Sequence, residues 1–301
     1  MARNPRHARR SRGGGRFYVW GESERYWSVT TIIDGAIPKN ALKWWAAKRV
    51  AEFAYDDASV WLAMPRGRAV DYLKQEPFRY TRDRADVGTT VHEAAEAYAL
   101  KRPMPTFDTR EERAYVASFL DFVRALQPSY VATEAEVYHR TQRYAGTLDA
   151  IVDITIEALA ALNVRIPDDW RRRAITTADA PFVRLLIDYK TGGDVVEEKG
   201  VYPEAALQLN AYGNAEFMGL PDGSEAALPA LSGAAVLQLG PRGWRLVPVR
   251  LDDPALPLAE RPIFKAFLYA REVFRWVDET SKDVLGDAIE HIFETDPTEE
   301  D

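Results

Sequence analysis

YAGTLDAIVDI (residues 144–154) and VRLLIDYKT (residues 183–191) decide how this chain folds. Both are short apolar runs, and each carries an acid inside it. In the first, Leu148, Ala150 and Val152 are expected on one side, with Asp149 and Ile151 on the other. In the second, a period of two puts Asp188 and Lys190 on one face at the end of Leu185-Leu186-Ile187. An aspartate inside an apolar strand needs a partner, because an unpaired buried carboxylate is costly. A salt bridge meets that need, and so does a metal ion; taken singly, each motif favours the salt bridge.

Working outward, EAEVYHR (134–140) reads as another strand. GAAVLQLG (233–240) and GWRLVPVR (243–250) read as a hairpin turning at Pro241-Arg242. Helical spacing covers about 84–100, 110–126 and 203–218. The N-terminal part starts with strands FYVW and YWSVTTII within 17–35, followed by helices over roughly 40–57 and 58–74. Five of the eight tryptophans lie there (Trp20, Trp27, Trp44, Trp45, Trp61). They read as the aromatic core of a helical cap, with base stacking as the sharper alternative. The pattern is α/β. A basic arm at 1–16 is expected to be disordered. An N-terminal strand and helix region occupies 17–80, and a core 81–255 carries an insertion at 155–182. C-terminal helices follow over 256–293, with an acidic tail at 294–301.

Composition narrows the chemistry. The 301 residues include 46 acidic and 39 basic side chains, so the body is acidic and does not hold nucleic acid by bulk charge, although a local basic groove remains open. With no cysteine there is no disulfide, thiol nucleophile, Cys-ligated zinc or iron–sulfur cluster. No apolar run approaches the ~20 residues of a membrane span, and no apolar stretch follows the arginines as in a signal peptide, so a cytoplasmic location is expected. No phosphate-binding Gly-x-x-x-x-Gly-Lys loop occurs, so no nucleotide cofactor is expected and any motor is a separate partner.

Two further motifs flank the strands. Gly88-x-x-x-His92-x-x-x-Glu96 places its residues ~40° apart around one helix, on a shared face. Gln208-x-x-x-Tyr212 does the same on the helix after Lys190. Alone, a helical histidine is more often structural. In order, however, the chain shows a helix with Gly-x-x-x-His and a strand with Gly146-x-x-Asp149. A strand with Asp188-Tyr189-Lys190, a helix with Gln208-x-x-x-Tyr212 and another strand follow. This succession, over about 84–250, resembles the PD-(D/E)XK nuclease superfamily in its RecB-like, phage exonuclease-like branch. The Trp27–Ile33 stretch with Pro38 and Trp44-Trp45 is similar to the phage and actinobacterial members. The CRISPR-associated members differ in their iron–sulfur cysteines, which are missing here. Asp188 stands where many members carry glutamate.

The resemblance implies a restriction-endonuclease-like core, a central mixed sheet flanked by helices in αβββαβ order. It implies Mg²⁺ or Mn²⁺ held by His92, Asp149, Asp188 and the Tyr189 backbone carbonyl. Lys190 would position water or stabilise charge at the phosphate. Glu96 or Glu136 would orient His92 or bind a second metal, and Gln208 and Tyr212 would hold the DNA. Arg140, Arg143 and Lys199 are candidate phosphate contacts by position. The implied activity is metal-dependent hydrolysis of DNA phosphodiesters, by an exonuclease in recombination, repair or phage DNA processing, with a recombination or helicase protein as partner. The alternative is a non-catalytic DNA-binding or scaffold member of a repair or spacer-acquisition complex. Oligomeric state is open.

Overall fold

Residues 144–155 and 181–191, β-branched and aliphatic on both faces, are strands buried from both sides, as central strands of an α/β sheet must be. The computed structural model describes residues 7–11, 14–21, 24–192, 200–287 and 289. Lys199, His291 and the acidic tail at 294–301 lie outside the described residues, as do Arg3, Arg6 and Arg12.

The chain opens with β1 (Ala8–Arg10), β2 (Arg16–Trp20) and β3 (Glu24–Ser28). Helices α1 (Val29–Ala36), α2 (Asn40–Asp56), α3 (Ala58–Trp61), α4 (Arg66–Lys74), α5 (Glu76–Ala99) and α6 (Arg110–Leu126) follow. Then come β4 (Ser129–His139) and β5 (Tyr144–Thr155). The insertion holds α7 (Ile156–Ala161), α8 (Asp168–Arg172) and β6 (Ile175–Thr176). After β7 (Pro181–Thr191) come α9 (Glu204–Gly213), β8 (Phe217–Gly219), β9 (Glu225–Ala226), β10 (Gly233–Gly240), β11 (Gly243–Val249) and α10 (Pro262–Arg275).

All described strands join one mixed sheet. It runs β1-β2-β3-β5-β4-β8-β9, and β7 branches from β5 to carry β10 and then β11. β7 and β10 are parallel, while β4–β5 and β5–β7 are antiparallel. One face packs Val91, Phe119, Phe122, Val152, Leu185 and Ile187 under α5 and α6. The other packs Ile32, Ile151, Leu186, Leu209, Val236 and Phe267 under α1, α9 and α10. The architecture is α/β, with helices on both faces of a mixed, curled sheet. Among the described residues no helix is long and apolar enough to cross a membrane.

Several local expectations change. The stretch Val29-Thr-Thr-Ile-Ile33 is helix, not strand, because Val29, Ile32 and Ile33 recur at helical spacing and are all buried. The helix expected over 203–218 stops at Gly213, and Phe217–Gly219 pairs with β4 instead. The expected helix over 58–74 is split in two ahead of Pro65, which caps the start of α4. The arm expected to be disordered contains β1, which pairs with β2 at Ala8↔Tyr18. Its His7 Nδ1 lies 2.6 Å from Glu136 Oε2, so a buried acid fixes it. The N-terminal tryptophans divide: Trp20 is buried and Trp27 packs on Phe274, whereas α2 buries no residue, its Trp45 and Phe53 meeting Tyr80 and Tyr72 at the surface and its Trp44 80% exposed. Arg49 instead ties α2 to Glu76 at the start of α5.

Candidate metal centre

One edge of β5 pairs with β4 from Tyr144 to Asp153. Its other edge is shared: Tyr144 and Ala145 pair with β3, and Ala150–Thr155 pair with β7. Gly146–Asp149 lie between, with no strand partner on that side among the described residues. The sheet therefore opens at this point, and side chains fill the gap. The Tyr189 N–H donates to Asp149 Oδ2 at 2.6 Å, so a carboxylate takes the backbone donor that lies just past the end of the ladder. The hydroxyls of Tyr18 and Thr147 meet at 3.0 Å. The Tyr212 ring lies against Gly146, where an added Cβ would come within 2.3 Å of it.

That contact yields a test. Gly146→Ala is expected to force α9 outward and to cost about 1–3 kcal/mol by overpacking. Thermal unfolding measures it; an unchanged melting temperature would show that α9 does not rest on this glycine.

Both β4 and β5 lose their alternation beside the gap. Leu148 packs with Ile151, while Ala150 and Val152 face the opposite cluster, so the expected grouping of Leu148 with Ala150 and Val152 is corrected. Across from it, Glu134 falls between the pairs Thr133↔Ala150 and Ala135↔Leu148, hence opposite Asp149. Its φ of 46° lies in the left-handed region. A non-glycine residue held there costs on the order of 1–3 kcal/mol, which the surrounding sheet must supply. The kink turns the carboxylates of Glu134 and Asp149 toward the same imidazole.

That imidazole is His92 on α5. Gly88, one turn earlier, lets the helix approach the end of β7, where a Cβ would lie 3.1 Å from Thr191 Oγ1. His92 Nδ1 is 3.1 Å from Glu134 Oε1 and 3.7 Å from Asp149 Oδ1. The three residues offer ligand atoms all within 4.8 Å of one another, spacing suited to a single cation. Beside them Asp188, almost fully buried, receives Lys190 Nζ at 2.9 Å and Gln208 Nε2 at 2.8 Å, both on Oδ1. Its Oδ2 has Nζ at 2.8 Å but no hydrogen bond.

The charges are strongly coupled. Burial works against ionising His92, but Asp149 and Glu134 together outweigh it and hold the imidazole up at about 9. Burial pushes the Asp149 carboxyl upward against the pull of His92. Burial likewise pushes Asp188 up to about 6 despite Lys190. Three acids thus crowd around two basic groups, and one buried carboxylate oxygen has no hydrogen bond. Hard oxygen donors with one imidazole suit a divalent cation such as Mg²⁺ or Mn²⁺, and Asp188 Oδ2, with the Lys190 ammonium beside it but no hydrogen bond, is an oxygen such a cation could share.

The other expected site residues go elsewhere. Glu96 sits 3.4 Å from Arg102 NH1, and the partner of His92 is Glu134 in its place. Glu136 binds His7 and receives the Tyr138 hydroxyl at 2.8 Å, away from His92. Glu134 and Glu136 stand two positions apart on one strand, and the kink turns only the first toward His92. The signal for Glu134 is the tight turn after His139: counting back from His139↔Tyr144 puts Glu134 opposite Asp149. Tyr212 is buried under Gly146, and Gln208, half-buried, donates to Asp188 and so braces the site. Arg140 pairs with Glu225 at 2.6 Å, and Arg143 lies 3.9 Å from Glu24, so both are tied into surface ion pairs.

No protein-family model matches this chain, and no curated protein matches it.

Proposed function

We propose that this chain is a divalent-metal-dependent nuclease with a restriction-endonuclease-like core, hydrolysing DNA phosphodiesters from an end. The observation that carries the reading is the convergence at the gap in β5. His92, Glu134 and Asp149 come together there, and Asp149 accepts the amide that links Asp188 to Tyr189. The order α6-β4-β5-β7-α9-β10 supports the core assignment, with α7, α8 and β6 as the insertion.

Asp149, Asp188, His92 and Glu134 would hold the cation, with the Tyr189 carbonyl beside them. When bound, the cation polarises the phosphate and lowers the pKa of a water. The chain's own groups do the rest. Lys190 Nζ, half exposed and anchored on Asp188, faces incoming phosphate and stabilises the negative charge that grows at phosphorus. Gln208 holds Asp188 from α9 and keeps its carboxylate from turning away. The Tyr189 amide fixes the rotamer of Asp149. Hydrolysis joins a water oxygen to phosphorus and releases the ester oxygen, which takes up a proton as it leaves.

Nucleic acid as partner is supported by the arm built from α2 to α4. Between Lys39 and Arg82 there are nine Lys or Arg and five Asp or Glu, in a chain whose net charge is −7. Trp44, Tyr55 and Phe78 stand exposed among them. Basic groups interleaved with open aromatic faces suit stacking and phosphate contact. Trp44→Ala is expected to weaken DNA binding about 5–150-fold, the equivalent of about 1–3 kcal/mol of stacking, and to leave the melting temperature unchanged. Fluorescence anisotropy in EDTA measures it; wild-type affinity in the variant would remove the arm from the interface.

The reading as a whole is tested with end-labelled linear DNA and covalently closed circles, each with Mn²⁺, Mg²⁺ or EDTA. Metal-dependent loss of linear DNA with intact circles is expected. Cutting of circles would overturn the exonuclease reading, and no cleavage with either metal would overturn the nuclease reading.

A further inference from the structure

The hairpin of β1 and β2 sets two arginines directly opposite each other. Arg10 is the register partner of Arg16, as Ala8 is of Tyr18. A period of two along each strand puts Arg10 and Arg16 on the face that carries Ala8 and Tyr18, both buried. Residues so paired have Cβ atoms ~5 Å apart, and like charges in that position are destabilising. Among the described residues neither guanidinium has an ion pair. The fold nevertheless pins both strands. The His7 N–H donates to Glu136 Oε1 at 3.0 Å, and His7 Nδ1 lies 2.6 Å from Oε2, which fixes the head of β1. The Arg16 N–H donates to Thr31 Oγ1 at 2.9 Å, which ties β2 to α1. Two cations held together without an acid between them suit an anion, and planar guanidiniums suit phosphate.

The same face leads to the metal centre. The hydroxyls of Tyr18 and Thr147 meet at 3.0 Å. Burial raises the Tyr18 hydroxyl above its usual range, while Thr147 and the Arg16 guanidinium pull the other way, so Arg16 reaches this spot. Thr147 is half-buried on the uncovered stretch of β5, two residues before Asp149 and thus ~7 Å along the strand. Burial raises the Tyr212 hydroxyl too, and Tyr18, Asp149 and Asp188 all push it the same way, which gathers these groups around one opening. Two hydroxyls that share one hydrogen bond keep one O–H free to donate.

We propose that Arg10, Arg16 and the Thr147 hydroxyl form a subsite for the DNA phosphate next to the one being cut. The inference rests on the nuclease reading above and adds to it the group that sets the register of the strand. The step from Asp149 to Thr147 is comparable to the separation of successive phosphates on one strand. A phosphate between the two guanidiniums removes their repulsion, so binding energy is gained at a place where the free protein is strained by charge.

The test is fluorescence anisotropy of the full chain with a short DNA duplex in EDTA, where cleavage plays no part. The phosphates nearest each terminus are replaced, one at a time, by neutral methylphosphonates. Wild-type affinity should fall about ten-fold at one position, the scale of losing a charge-assisted hydrogen bond. Arg10→Gln and Arg16→Gln should each weaken binding of the unmodified duplex by a similar factor and lower the salt slope by about one. At the sensitive position, Arg16→Gln and the methylphosphonate together should cost no more than either alone. Neither variant should melt at a lower temperature without DNA, since each relieves a contact between like charges. Wild-type affinity in Arg16→Gln, or losses that add in full at every position, would overturn the subsite. Cleavage assays separate this outcome from the parent reading. Metal-dependent cutting without the coupling removes the subsite alone. Coupling without cutting in Mn²⁺ or Mg²⁺ keeps the phosphate contact and removes the nuclease reading.

Discussion

Asp188→Asn is expected to lower metal-dependent cleavage about 10³-fold, equivalent to about 4 kcal/mol of transition-state stabilisation, while making the metal-free protein more stable. The two effects come from one cause. Asp188 is almost wholly buried, and its Oδ2 has no hydrogen bond. Burial lifts its carboxyl to about 6, above the ~3.9 of an unfolded chain. The native state therefore holds this proton more tightly than the unfolded state does. By linkage, the group costs stability progressively as pH rises from about 4 to about 6, and the full cost is present at neutral pH. An amide removes the buried charge, keeps the shape, and leaves Lys190, half exposed, to water. The expected gain is on the order of 1 kcal/mol in EDTA at pH 7.

Added Mn²⁺ should reverse the ranking. Wild-type protein should melt at a higher temperature with Mn²⁺, because an ion bound only by the folded state stabilises it by mass action. Asp188→Asn should lose most of that rise, and Asp149→Asn all of it, since Asp149 belongs to the group that includes His92 and Glu134. Calorimetry with and without Mn²⁺ reads both effects. Retained cleavage in Asp188→Asn, or a Mn²⁺ response equal to wild type in Asp149→Asn, would falsify the placement of the metal.

Lys190→Ala is expected to lower the cleavage rate about 10²–10³-fold, the scale of removing one positioned group that stabilises transition-state charge. The rise in melting temperature on adding Mn²⁺ should remain. Lys190 reaches Asp188 from the same face of β7, and its side chain is half open to solvent, so truncation to alanine leaves no cavity. On the proposed reading its loss removes a charge near the phosphate and leaves the carboxylates that would bind the cation. Lys190→Arg should restore little, because a planar guanidinium does not replace a compact ammonium at one point. Single-turnover cleavage alongside a Mn²⁺ melting series separates the two roles. If Lys190→Ala lost its Mn²⁺ response in step with its activity, the lysine would be acting through the metal site.

Much of the core was legible because burial writes itself into local composition. β5, β7 and β10 are apolar on both faces, and α6 carries Thr109 and Glu112 as a capping box ahead of a strongly one-sided helix. His92, Asp149, Asp188 and Lys190 suggested a set only through the order of their motifs, since each taken singly favours a salt bridge or a structural role. What failed shares a cause. Val29–Ile33 has strand-forming residues, yet becomes helix because its apolar spacing matches the groove formed by α9, α10 and the sheet. Gln208 and Tyr212 share a helical face as expected, but only packing across the sheet shows that Tyr212 sinks into the core while half-buried Gln208 reaches Asp188.

By itself the sequence determined which segments must be buried and in what order, because apolar periodicity is a local property that each strand or helix carries alone. It also determined that any metal here is held by oxygen and nitrogen, since no sulfur ligand from cysteine exists. Tertiary structure alone decided that Glu134 and not Glu136 meets His92. Both acids lie on one strand two residues apart, and a left-handed residue opposite Asp149 selects between them. It also decided where the sheet opens: β5 shares one edge between β3 and β7, and the span that neither strand covers is where Asp149 can spend its carboxylate on a backbone amide and a cation. Such a gap is a relation among three strands distant in sequence, and no single stretch of chain encodes it.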